Sequence, residues 1–173
     1  MCLTRVALYG STWSMGDSTN LLHQFDRRLI DGLYVEAMVL ADEARSFFDH
    51  RAEEERALLG QLERVEFACE SLKVTTRLMH VIAWLLTQRA ILNGELEELA
   101  RMEERFRLGE AATTDKAIAG RFSTDMQALI GASEDLYDRV LRLEQQLVGR
   151  VRGEPSLALS PARDLLTRLE RAF

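Results

Sequence analysis

The feature that most constrains this chain is a helical pattern over residues 58–92 that is apolar on two separate faces. The first stripe alternates steps of four and three residues, and it comprises Leu58, Leu62, Val65, Cys69, Leu72, Thr76, Met79, Ala83, Leu86 and Ala90. The second stripe follows another face of the same helix, and it comprises Val74, Leu78, Val81, Leu85 and Leu92. A helix that is apolar around most of its circumference must be buried around most of it. The pattern therefore predicts a helix at the centre of a bundle, in an oligomer interface, or both.

The two stripes together carry more apolar surface than neighbouring helices of one chain are expected to cover. The spacing of the first stripe is typical of a seam that faces a neighbouring helix. We therefore predict a homodimer, since two-fold dimers are the commonest soluble oligomers, with the second stripe in its interface. The predicted interface residues are Val74, Leu78, Val81 and Leu85.

Two further helical patterns flank this segment and fix the predicted fold class. The first helix follows a cap at Ser18 or Thr19, and its apolar face is Leu22, Phe25, Leu29, Leu33, Ala37, Leu40, Ala44 and Phe47. The last long helix begins near Ser123, and its apolar face is Met126, Leu129, Ser133, Leu136, Val140, Leu143 and Leu147. These patterns predict an all-α antiparallel bundle of three long helices, with a short extra helix and a flexible or weakly docked C-terminal tail.

Helix-breaking residues set the predicted boundaries. The central helix should run from about Ala52 to Leu92, with a stop at Asn93-Gly94, because glycine tolerates the left-handed conformation at a helix end. This helix is longer than the first one, so either its N-terminal turns project or a break falls near Gly60. We predict a flexible arm at residues 1–19, the bundle domain at residues 20–153 and the tail at residues 154–173.

Composition excludes several classes of function. The net charge of −6 over 173 residues disfavours a nucleic-acid surface, which needs concentrated basic residues. The two cysteines, Cys2 and Cys69, suit a reducing cytoplasm. The longest apolar run, Val81–Leu86, is far shorter than the roughly twenty residues that span a bilayer. We expect a cytoplasmic protein without membrane insertion.

The sequence offers no catalytic or metal-binding constellation. The residues three positions before His23, His50 and His80 are not glutamates, so the Glu-x-x-His pattern of di-iron bundles is absent. Cys69 lies in the first apolar stripe, where a thiol is expected to be buried and inert. We therefore predict no enzyme activity, no metal and no cofactor.

Two regions favour protein binding. The polar face of the central helix contains Arg77 and leads to Trp84, and both residue types are enriched at interface hot spots. Trp84 is covered by another helix of the chain, by a dimer partner or by a transient partner. The tail carries Leu165, Leu166, Leu169 and Phe173, which either dock on the bundle or form a tethered helix for the groove of a partner.

The central helix also resembles a known family. Glu70-Ser71, Thr75–Met79, Trp84–Leu86 and Gln88–Ala90 are similar to the signature of the RcdA family, the regulators of CtrA degradation, which are alphaproteobacterial adaptors of the ClpXP protease. The resemblance implies a dimeric three-helix bundle without chemistry of its own, which presents cell-cycle regulators to a protease at the cell pole. It also implies that the tail engages the proteolytic machinery.

Two classes of function remain open from the sequence. One is a protein-binding adaptor, in which the bundle holds cargo and a flexible end recruits the protease, so that tethering raises the local concentration of cargo. The alternative is a structural or regulatory homodimer with no link to a protease. The expected partners are a protease complex and its cargo in the first case, and a second copy of the chain in both.

Overall fold

Three long helices dominate the computed structural model, which describes residues 15–153 and their side chains from Leu22 onward. In chain order the helices are α1 (Met15–His50), α2 (Ala52–Leu58), α3 (Gln61–Leu92), α4 (Lys116–Ala119) and α5 (Thr124–Val151), with short 3-10 helices at Glu98–Met102 and Glu104–Phe106. Residues 15–153 contain no strand. The predicted all-α bundle of three long helices is confirmed.

Helix α1 runs antiparallel to both α3 and α5, which run in the same direction as each other. Arg27, early in α1, donates a hydrogen bond of 2.8 Å to the carbonyl of Leu92 at the end of α3. Arg150, at the end of α5, contacts Asp26 of α1 at 2.8 Å. The chain from 93 to 123 must therefore return along the bundle before α5 begins.

This returning segment, residues 93–123, lies against one side of α3. Arg77 of α3 donates to the carbonyl of Ala112 at 2.7 Å, and Arg121 pairs with Glu66 of α3 at 2.8 Å. The segment covers the side of α3 that is polar in sequence. That side is consequently an internal, hydrogen-bonded contact.

Helix α1 begins earlier than the sequence predicted. It starts at Met15, inside the expected arm at residues 1–19, so Ser18 and Thr19 lie within the helix and do not precede it. Extending a formed helix by one turn costs little, because each added residue contributes a backbone hydrogen bond.

The helix boundaries predicted near Gly60, Asn93-Gly94 and Ser123 are confirmed. Helix α2 ends at Leu58 and α3 begins at Gln61, and the backbone N–H of Gly60 donates to Glu63 at 2.8 Å. Helix α3 ends at Leu92 and is followed by Asn93 and Gly94; Gly94 has a φ of 76°, in the region that favours glycine. Ser123 caps α5 by accepting a hydrogen bond from the N–H of Met126.

The core lies between α1, α3 and α5. Every residue of the apolar face predicted for the last long helix is buried. On α1 the predicted face is buried from Leu33 to Phe47, whereas Leu22, Phe25 and Leu29 are exposed. Arg27 already lies at the last residue of α3, so the earlier turns of α1 extend beyond that end of α3.

Candidate protein-interaction surfaces

The first apolar stripe of the central helix lies on the surface. We call its exposed members the outer stripe: Leu58, Leu62, Val65, Cys69, Leu72, Met79, Ala83 and Leu86. Leu72 and Met79 are 67% and 64% exposed. The sequence predicted that this stripe faces a neighbouring helix, but no helix within residues 22–153 covers it. An uncovered row of large apolar side chains is typical of a protein–protein contact.

The second stripe forms the core of a single chain, which corrects the predicted dimer interface. Val74, Leu78, Val81 and Leu85 are at most 4% exposed and pack in one cluster with residues of α1 and α5. Both stripes are apolar, so hydrophobicity alone does not say which of them faces inward. Val74, Val81 and Leu85 therefore have no surface left to offer to a second copy, and Leu78 has almost none.

Cys69 is likewise exposed instead of buried. It belongs to the outer stripe, so its burial was predicted from the wrong orientation of α3. One difference in the orientation of α3 about its own axis explains both the burial of the second stripe and the exposure of Cys69.

Arg77 is buried, at 2% exposure, and connects three elements. Its guanidinium donates to the hydroxyl of Ser133 at 3.2 Å, to the hydroxyl of Thr114 at 2.8 Å and to the carboxylate of Glu134 at 3.0 Å. Thr114 in turn donates to Glu70 at 2.7 Å. Arg77 therefore holds the returning segment between α3 and α5, and its assignment to partner binding is corrected.

Trp84 is also buried, at 3% exposure, in the same core cluster as Leu108 of the returning segment. Of the alternatives left open by the sequence, the one in which the chain itself covers Trp84 is correct. The indole is not a free contact for a partner.

The predicted contact residues of the tail, Leu165, Leu166, Leu169 and Phe173, lie outside the described residues. Their role in binding stays a prediction.

An apolar cleft opens beside the outer stripe, between α1 and α3. It has a volume of about 310 Å³, and its lining includes Ala41, Phe48, Leu78, Met79 and Ile82. Met79 belongs to both the cleft and the outer stripe, so the two features form one continuous surface. A side chain from a packed partner helix can enter such a hole.

Residues 22–153 contain no group of three or more His, Cys, Asp or Glu side chains placed to hold a metal ion. In the same part of the chain, no helix combines the length and the apolar character needed to cross a bilayer. The candidate sites in the described residues are thus apolar faces and grooves.

Two comparisons place the chain among known proteins. Residues 22–173 match the model of a family described as "Protein of unknown function (DUF1465)". Among solved structures, the chain is similar to RcdA from Caulobacter crescentus CB15, with 31% sequence identity and a TM-score of 0.55. That match covers 69% of this chain and 90% of the RcdA chain. No curated protein sequence matches.

Proposed function

We propose that this chain, which belongs to the RcdA family, is a non-enzymatic adaptor that delivers regulatory proteins to the ClpXP protease. The observation that carries the proposal is its 31% identity to RcdA over 90% of the RcdA chain. The sequence signature in α3 supports the same family independently. An adaptor works by binding, and it accelerates degradation by raising the local concentration of cargo at the protease.

The exposed apolar surface supports a binding role. The outer stripe presents large apolar side chains along α3 from Leu62 to Leu86. Soluble monomers rarely leave such a continuous row uncovered. A protein that functions through contacts with other proteins accounts for this surface.

The homodimer belongs to the same proposal, with its interface moved to the outer stripe. Leu72, Met79 and Leu86 recur every seven residues, as in the seam of two packed helices. Two copies of this surface can meet about a two-fold axis, because each presents the same stripe and the same adjoining cleft. The buried second stripe then stabilises each chain.

The tail is the proposed second contact of the adaptor. Leu165, Leu166, Leu169 and Phe173 have the spacing of a short amphipathic helix, which suits the groove of a partner. The described residues already form a core cluster between α1, α3 and α5. Loss of the tail should therefore reduce delivery more than it reduces the stability of the bundle.

Degradation assays with purified ClpXP test the adaptor. A panel of candidate cell-cycle regulators and their helper proteins is incubated with full-length chain, with residues 1–153 or with neither. We expect full-length chain to accelerate degradation of at least one regulator and residues 1–153 to accelerate it less. If full-length chain changes neither the rate nor the set of degraded substrates, the adaptor proposal fails and the homodimer without a protease link replaces it.

A further inference from the structure

A second open surface runs between α1 and α5. Two adjoining cavities of about 450 and 250 Å³ share Leu40, Glu43 and Ala132 in their walls, so they form one groove, which we call the α1–α5 groove. Its lining comes from α1, α5 and Arg51, with no residue of α3. The groove is therefore separate from the outer stripe.

Small side chains on α5 keep the groove open. Ala128 and Ala132 are exposed along one wall, and each ends in a single methyl group. The floor is apolar, with buried Leu40, Phe47 and Leu129. From Glu36 to Phe47 the α1 wall extends for about 17 Å at about 1.5 Å per residue, which matches three turns of a docked helix.

The rim of the groove carries an excess of negative charge. Glu36 pairs with Arg139, and Arg51 pairs with Asp125. The hydrogen bond from Arg139 also lowers the pKa of Glu36, so this pair stays ionised at neutral pH. Glu43 and Asp135 line the same groove, and neither forms an ion pair with another described residue. Arg139, whose pKa is raised first by its hydrogen bond to Glu36, also interacts with the charge of Asp135. Glu43 is thus left to meet a cation from outside, and Asp135, which shares Arg139 with Glu36, is only partly compensated.

We propose that the α1–α5 groove binds a basic amphipathic helix of a partner protein. The apolar face of such a helix covers Leu40, Leu129 and Ala132, and its lysines or arginines pair with Glu43 and Asp135. The inference rests on the proposed adaptor function and deepens it by stating the kind of segment that a partner must present. A dimer closed through the outer stripe leaves the groove of each copy open.

Fluorescence anisotropy with a synthetic helix tests the groove. The probe is a labelled peptide of about four turns built from Leu, Ala and Lys, and its comparison peptide has Glu in place of each Lys. We expect the full-length chain to bind the Lys peptide about tenfold or more tightly than the Glu peptide. Equal binding of the two peptides would contradict charge recognition.

Variants locate the binding site. Glu43→Lys with Asp135→Lys reverses the unpaired charges, and Ala132→Met fills the groove. Each change should weaken binding of the Lys peptide about tenfold, whereas Leu72→Glu in the outer stripe should leave it unchanged. Circular dichroism of each variant checks that the helices are retained. Loss of binding in Leu72→Glu but not in the groove variants would overturn the proposal.

Two further outcomes separate this inference from its alternatives. If residues 1–153 bind the Lys peptide and the full-length chain does not, the chain's own tail occupies the groove and the proposed external partner is rejected. If the peptide binds as expected while the degradation assay shows no delivery, the groove stands and the adaptor function fails. If instead the peptide does not bind and the groove variants deliver cargo normally, the adaptor function stands and the groove proposal fails.

Discussion

At the scale of single residues, Gly109 shows how tightly the returning segment packs on α3. A Cβ atom at this position would lie 2.8 Å from Cε1 and Nδ1 of His80, which is too close for a real contact. The carbonyl of Gly109 also accepts a hydrogen bond of 2.8 Å from the hydroxyl of Tyr137. The backbone is therefore held on one side by α5 while its Cα faces the imidazole of His80.

Gly109→Ala should destabilise the chain by about 1–3 kcal/mol, because the added methyl group overpacks a closed contact. In a His80→Ala background the same substitution should cost much less, since the imidazole is gone. Urea unfolding of the two single variants and the double variant measures this coupling. Equal costs in the two backgrounds would show that the contact with His80 is not what excludes a side chain.

Arg77 carries the second prediction at this scale. Arg77→Ala should lower the free energy of unfolding by about 3 kcal/mol, because it removes a buried guanidinium and leaves the buried hydroxyl of Ser133 and the partly buried carboxylate of Glu134 without their shared donor. Arg142→Ala is the control, since Arg142 is exposed on α5 and surface substitutions usually change stability by less than about 0.5 kcal/mol. If Arg77→Ala proves as mild as the control, the described network does not hold the returning segment.

At the scale of the helices, Gly32 offers a stabilising change. It lies within α1, and a Cβ added there would meet no atom within 4 Å. A close helix crossing, which would justify a glycine, is thus not present at this position among the described residues. Gly32→Ala should raise stability by about 0.5–1 kcal/mol, because alanine has the higher helix propensity. A lower melting temperature in calorimetry would indicate a contact on this face in the native assembly.

The helices were largely predictable from sequence because their signals are local. Gly60, Asn93-Gly94 and Ser123 act on the backbone within a few residues, and each marks a helix end where it was expected. The orientation of α3 was not predictable, because both of its stripes are apolar. Its inward side is decided by the returning segment, whose hydrogen bonds to Glu70 and Arg77 join residues distant in sequence.

At the scale of the whole molecule, the orientation of α3 decides where a second copy can bind, because only the stripe that faces outward is available to it. If α3 presented its second stripe outward, a charge at Leu85 would disrupt only the dimer. In the structure Leu85 is fully buried and Leu72 is exposed, so charges at the two positions should have different effects. Comparing a charge at Leu85 with a charge at Leu72 therefore distinguishes an effect on folding from an effect on association within a single helix.

Leu72→Glu and Met79→Glu should give folded monomers, because each places a charge in the proposed interface without entering the core. Leu85→Glu should instead unfold the chain, since an unpaired buried carboxylate costs several kcal/mol. Leu99→Glu is the matched control, because Leu99 is equally exposed but lies outside the outer stripe. Size-exclusion chromatography with light scattering gives the mass, and circular dichroism gives the helix content.

We expect about twice the 19.7 kDa of one chain for the unmodified protein and the control, and the mass of one chain for the two stripe variants. A wild-type monomer, or stripe variants that remain dimeric, would remove the outer stripe from the proposed assembly and leave it available to a different partner.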